Sequence, residues 1–281
     1  MKLATVAVDG RTTWGVVEND TFFDVGAALT SRYADLKAAV AANLAGVAEA
    51  KGAAASLPVS ALTWLPVIPN PDKILCVGLN YEEHRRETGR SVVENPTIFA
   101  RFFNSQTGHL APIVKPKVSG DLDYEGELAI IIGKPGRYIS REDALSYVAA
   151  YSIYNDGSIR DYQRHTHQFT PGKNFPDTGA FGPWMMTPDE LGPLEQLRIQ
   201  TRLNGQVVQD ATFDMMIFDV ARIIEYCSQF TRLEPGDVIA TGTPGGVGAK
   251  RNPPLWMRPG DTVEVEIEKL GILRNPISEE R

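Results

Sequence analysis

Cysteine is scarce. The 281 residues include two, Cys76 and Cys227, and both sit in apolar segments, "KILCVG" and "IIEYCSQF". Two such thiols exclude a disulfide scaffold and point to buried cysteines in a reducing compartment. Clusters of Lys and Arg are also missing, and the net charge of −7 with a pI near 5.2 argues against a nucleic acid or an anionic membrane as partner. No apolar run approaches membrane-spanning length. The opening "MKLATVAVDGRTTWG" reaches Asp9 too early for a signal-peptide core, so the expected location is the cytoplasm. There is no Gly-Lys-Ser/Thr phosphate loop and no Gly-x-Gly-x-x-Gly between a strand and a helix, which excludes the common nucleotide folds.

What is present reads as an ordinary globular protein, with 43% hydrophobic and 22% charged residues. The length suits one large domain or a large one with a small companion. "KLATVAV", "TTWGVVE" and "TFFDV" read as a β-meander turned at Asp9-Gly10 and Asn19-Asp20. "SRYADLKAAVAANLAGVAEAKG" reads as one helix with Leu36, Val40, Leu44 and Val47 on a stripe. Pro58, Pro66, Pro69 and Pro71 then mark a boundary near residue 70, dividing a small accessory domain, 1–70, from a catalytic domain, 71–281. Beyond it short strands and turns dominate. Helices are expected over "SREDALSYVAA", which opens on a Ser140/Asp143 capping pattern, and over "FDVARIIEYCSQF". "TVEVEI" alternates as a half-exposed strand should. The class is α+β and β-rich, a roll or barrel rather than a doubly wound sheet.

One strand raises a chemical question. "LDYEGELAIIIG" places Asp123, Glu125 and Glu127 ahead of a run that is apolar on both faces, and such strands are normally buried on both. In an extended chain the three acids share a face. Buried unpaired charge is costly, so they must pair, protonate or bind a cation. A further acid, Asp156, closes the β-like "YSIYN". Carboxylates without Cys or His nearby suit Mg²⁺ or Mn²⁺ better than zinc.

Three further segments carry polar groups. In "GLNYEEHRRETG", His84 and Glu87 are three apart, neighbours on a helical turn. A carboxylate beside an imidazole raises its basicity, as a general base requires, although a charged surface turn accounts for the same residues. His165 and His167 read as polar loop residues. "TGTPGGVG" exposes backbone N–H groups suited to an anion, or is merely a tight turn. Lys173 sits in a Gly/Pro-rich loop, where a surface lysine is the ordinary reading.

The order of "CVGLNYEEHRRETG", "DYEGELAIIIGK", "YNDGSIRDYQ", "PGKNFPDTGAFGPW" and "GDVIATGTPGGVG" resembles the fumarylacetoacetate hydrolase family, over residues 71–270 or so. The resemblance implies a mixed β-roll/barrel catalytic domain with a small N-terminal αβ domain, and a homodimer. It implies Mg²⁺ or Mn²⁺ on Glu125, Glu127 and Asp156. It implies His84 and Glu87 as the catalytic pair on a segment, 82–94, that closes over substrate. Lys173 would stabilise an oxyanion, Thr243 would bind an anion, and Arg160 and Gln163 would line the substrate pocket. The implied substrate is a 2-oxo or 2,4-dioxo acid, and the leading reaction is hydrolysis of an acylpyruvate's C–C bond to pyruvate and a carboxylic acid. A decarboxylase or isomerase of oxaloacetate-like or unsaturated 2-oxo diacids is the alternative, and a non-catalytic binder of small acids stands outside both. One departure concerns recognition: where many members carry Phe-x-Lys-Pro, this chain has "IFARFFNSQTGHLAPIVKP", with Arg101 near the lysine position as a substrate-binding candidate.

Overall fold

The computed structural model describes the chain except residues 90 and 92, so part of the expected closing segment 82–94 lies outside the described residues. The N-terminal meander forms as strands Lys2–Val8, Arg11–Glu18 and Thr21–Phe23. Asp9, Gly10 and Asn19 take the positive φ angles, 49°, 80° and 51°, that tight hairpins require. The helix expected over residues 31–52 is broken. Asn43, Leu44 and Gly46 adopt φ of 52°, 55° and 78°, which a right-handed helix cannot accommodate, leaving Leu36–Ala41 and Val47–Lys51. Leu36, Val40 and Val47 are buried all the same.

These strands join the largest sheet, which has 12 strands. Its path runs Ser56–Pro58, Thr21–Phe23, Arg11–Glu18, Lys2–Val8, Gly179–Met186, Val148–Asp156, Gly126–Ile132, Val238–Ala240, Ile74–Gly78 and Thr97–Arg101. The two ends do not meet, so the sheet is open and the barrel alternative is set aside. Lys2 pairs with Met186, which continues the first segment directly into the second. A five-stranded sheet packs below, in the order Gln206–Thr212, Arg198–Leu203, Thr262–Ile267, Gly271–Glu279, Ile113–Lys115. In Thr262–Ile267 the residues Val263, Val265 and Ile267 are buried, while Glu264 and Glu266 pair outward with Arg202.

Gly126–Ile132 lies at the centre, and each face meets a different core. Leu128, Ile130 and Ile132 pack with Ile223, Val265 and Leu273; Ala129 and Ile131 pack with Val40, Phe181 and Cys76. The expected helix over 140–150 is a single 3₁₀ turn, Ala144–Tyr147, followed by the strand Val148–Asp156. That strand is paired on both sides, and the ladder outweighs the capping pattern, although Ser140 and Asp143 do bond. The helix Val220–Phe230 forms as expected, with the Asp219 side chain accepting from Arg222 N–H.

Candidate metal centre and active site

Antiparallel pairing assembles the acids. Gly126 lies opposite Asn155 and Glu127 opposite Tyr154. The Asp156 N–H donates to the Glu125 carbonyl at 2.9 Å, and Asn155 Oδ1 accepts from the Glu125 N–H. Glu125, Glu127 and Asp156 are all buried, with one oxygen of each within 4.8 Å of the others. Asp123 does not join them. The chain leaves strand geometry at Tyr124-Glu125, between Leu122–Asp123 and Gly126–Ile132, so the expected shared face is broken there.

Three buried cations surround the acids. Lys173 Nζ bridges Glu125 Oε2 and Asp156 Oδ2, 2.6 Å from each. Arg101 Nη1 donates to Asp156 Oδ1 at 2.6 Å, and Arg160 Nη1 lies 2.7 Å from Glu125 Oε1. Burial pushes the Glu125 carboxyl up, but Lys173, Arg160 and His84 outweigh it and hold it at about 2. Glu127 has no ion-pair partner among the described residues; the Gly242 N–H donates to its Oε2 at 2.8 Å. Burial, then Asp156 and Glu125, raise its carboxyl well above the usual range. An all-oxygen donor set with one buried carboxylate short of a cation fits a hard divalent ion, and each carboxylate oxygen keeps a second lone pair for it.

The cavity beside this cluster has a volume of about 810 Å³, and its wall includes His84, Glu125, Glu127, Arg160, Lys173 and Thr243. His84 stands on the helix Glu82–Thr88, buried, with Nδ1 3.2 Å from Glu87 Oε2. Of the neighbouring charges, Arg85 and Arg86 pair with Glu82. Gly246 N–H also reaches Glu87 Oε2, at 3.3 Å.

The glycine-rich loop does hold anions, but they are the chain's own carboxylates. Gly242 N–H serves Glu127, Gly246 N–H serves Glu87 and Gly248 N–H serves Asp123. Thr243 Oγ1 donates to the Gly126 carbonyl and accepts from Gln209 Nε2, so its hydroxyl fastens the loop to the acidic strand. Gln209 gave no signal in the sequence, since nothing local marks a strand glutamine as a loop brace. Gln163 Oε1 accepts from Arg160 Nη1 at 2.9 Å. Arg101 is absent from the cavity wall. Fully buried on Asp156, Gly157, Thr178 and Ser105, it braces a candidate metal ligand where a substrate contact was expected. His165 and His167, read as loop residues, are exposed and line the cavity.

The family model described as Fumarylacetoacetate (FAA) hydrolase C-terminal matches residues 73–278. The chain belongs to the fumarylacetoacetate hydrolase family. Among members, it is 40% identical over 222 residues to "Oxaloacetate tautomerase Fahd2a, mitochondrial" of Rattus norvegicus, covering 79% of this chain and 71% of that one. The fumarylacetoacetate hydrolase of Exiguobacterium antarcticum superposes with a TM-score of 0.86 at 33% identity, covering 100% of both chains. The 2-hydroxyhepta-2,4-diene-1,7-dioate isomerase of Mycobacterium marinum superposes with a TM-score of 0.79 at 30% identity, covering 100% of this chain and 99% of that one. This family includes hydrolases, isomerases and tautomerases by name, so membership identifies an enzyme without choosing its reaction. No helix among the described residues is long and apolar enough to cross a membrane.

Proposed function

We propose that this protein is a divalent-cation-dependent enzyme that interconverts the keto and enol forms of an oxaloacetate-like 2-oxo diacid. The likeness to an oxaloacetate tautomerase, 40% identity over 222 residues, carries the choice. The site agrees with it: proton transfer at C3 needs a base and a cation for the enolate, and His84, backed by Glu87, lines the same cavity as Glu125 and Glu127.

In this reading the His84 Nδ1–H donates to Glu87, and the free lone pair on Nε2 takes a proton from C3. The imidazolium, stabilised by Glu87, returns that proton to the C2 oxygen, so no atom is gained or lost overall. Arg160 Nη2, buried and unpartnered among the described residues, receives a substrate carboxylate. Glu125, Glu127 and Asp156 would hold the cation, whose Lewis acidity stabilises enolate charge. Mg²⁺ and Mn²⁺ are the candidates by donor chemistry.

Hydrolysis keeps support from the same His84–Glu87 pair, which could activate a water. The test is a substrate panel with Mg²⁺: ultraviolet decay of enol-oxaloacetate against pyruvate release from acetylpyruvate. Accelerated enol decay with no acetylpyruvate cleavage is expected. Cleavage of acetylpyruvate without any acceleration of enol decay would replace the tautomerase reading with the hydrolase one.

A further inference from the structure

Of the three acids that open the central strand, Asp123 takes no part in the metal centre, yet it is fully buried and heavily bonded. Oδ1 accepts from the N–H groups of Gly248 at 2.8 Å and Tyr124 at 2.9 Å. Oδ2 accepts from Arg160 Nε at 2.7 Å and from Ala249 N–H at 3.0 Å. One carboxylate thus fastens two cavity walls, the helix Arg160–Arg164 and the end of the glycine loop. The approach is close: a Cβ at Gly248 would lie 1.9 Å from the Leu255 carbonyl oxygen and 2.7 Å from Asp123 Oδ1.

From this geometry we infer that Asp123 is a positioning residue that sets the plane of the Arg160 guanidinium and so aims Nη2 at the substrate carboxylate. The inference rests on Arg160 being the substrate anchor. A guanidinium is planar with donors in a fixed fork. Asp123 takes Nε, and Glu125 with Gln163 takes Nη1, so the plane is determined and Nη2 alone remains. Without Asp123 the long side chain would have to be ordered by the substrate itself, which weakens binding.

Calorimetric titration of oxalate in Mg²⁺ tests this on the wild type, Asp123→Asn, Arg160→Gln and the double variant. Asparagine keeps one acceptor oxygen for the loop and turns an NH₂ toward Arg160 Nε. Each single change should weaken oxalate by about 10- to 100-fold, the span for losing a hydrogen bond to a charged group. In the double variant, Asp123→Asn should add less than about twofold to the Arg160→Gln loss, because both act through one group. Additive losses overturn the proposal, as does unchanged affinity in either single variant. Arg160→Lys keeps it testable even if Asp123→Asn does not fold. Lysine retains the charge but cannot hold Asp123 and Glu125 in one plane, so it should bind oxalate as weakly as Arg160→Gln. Wild-type affinity in Arg160→Lys would overturn the role. Because oxalate binding involves no turnover, coupled losses in a protein that leaves oxaloacetate unchanged would support Asp123 while removing the reaction assignment.

Discussion

Glu127 and His109 show how far one environment can move a side chain. Glu127 is buried with two like charges beside it and no ion-pair partner among the described residues, so it is the carboxylate that most needs a cation. Glu127→Gln is expected to weaken Mg²⁺ by at least the ~10- to 100-fold that follows loss of even an outer-shell partner. Calorimetry with an unchanged Mg²⁺ affinity would remove Glu127 from the ligand set. His109 lies outside the site. Its Nδ1 accepts from the Arg274 N–H and its ring meets Trp64 edge-on. Burial, with Arg274 second, lowers its pKa from 6.5 to about 4. The folded pKa is depressed, so the unfolded chain takes up the proton first as pH falls. The stability tied to a neutral His109 is full above about pH 6.5 and is lost toward about pH 4. His109→Gln should flatten the fall in melting temperature across that window, and an unaltered slope would show that another group sets it. At this scale the residue types were legible but their partners were not. Asp123, Glu125 and Glu127 read alike in sequence; only the break at Tyr124-Glu125 sends the first to Arg160 and the others to the metal centre.

At the scale of elements, the glycine loop and the helix Glu82–Thr88 form one working unit. Gly246 N–H holds Glu87, and with φ at 96° a Cβ on Gly246 would come within 2.2 Å of the Val208 carbonyl oxygen. Glycine there lets the loop pass Val208 and present its N–H to Glu87. Gly246→Val should displace the loop from Glu87 and lower kcat by about 10- to 100-fold, since a misplacement near 1 Å costs about that much. Mg²⁺ affinity should fall less, because Glu125, Glu127 and Asp156 lie on other segments. Equal kcat in the variant would mean that the loop does not set the His84–Glu87 pair. Element type was legible where burial and pattern agreed, as in Gly126–Ile132 and Val220–Phe230. It was not where long-range pairing decided. "SREDALSYVAA" opens on a capping signal, yet from Val148 it becomes strand because ladders await it on both sides, and the interrupted helix after Leu36 turns on left-handed residues that no periodicity marks.

For the whole molecule, order along the chain carried more than any single motif. His84, Glu125, Asp156, Lys173 and Thr243 are far apart in sequence; the open sheet sets Val148–Asp156, Gly126–Ile132, Val238–Ala240 and Ile74–Gly78 side by side, so that Asp156 and the segments flanking the other three strands meet, and Lys173 joins them from the short helix Thr170–Lys173. What the family order could not supply was the pairing within the site, which makes Arg101 a brace of Asp156 and ties Lys173, still on the cavity wall, to Glu125 and Asp156. In the proposed reaction His84 moves a proton at C3 of a 2-oxo acid held beside a divalent cation. Proton NMR of oxaloacetate, the diacid proposed as substrate, measures this directly in D₂O, as loss of the C3 signal with the protein and Mg²⁺ present. Exchange well above that of Mg²⁺ alone is expected, abolished by chelator and reduced on the order of 10²- to 10⁴-fold in His84→Ala, the span for removing a general base. Exchange at the Mg²⁺-only rate, or exchange that His84→Ala leaves untouched, would contradict it.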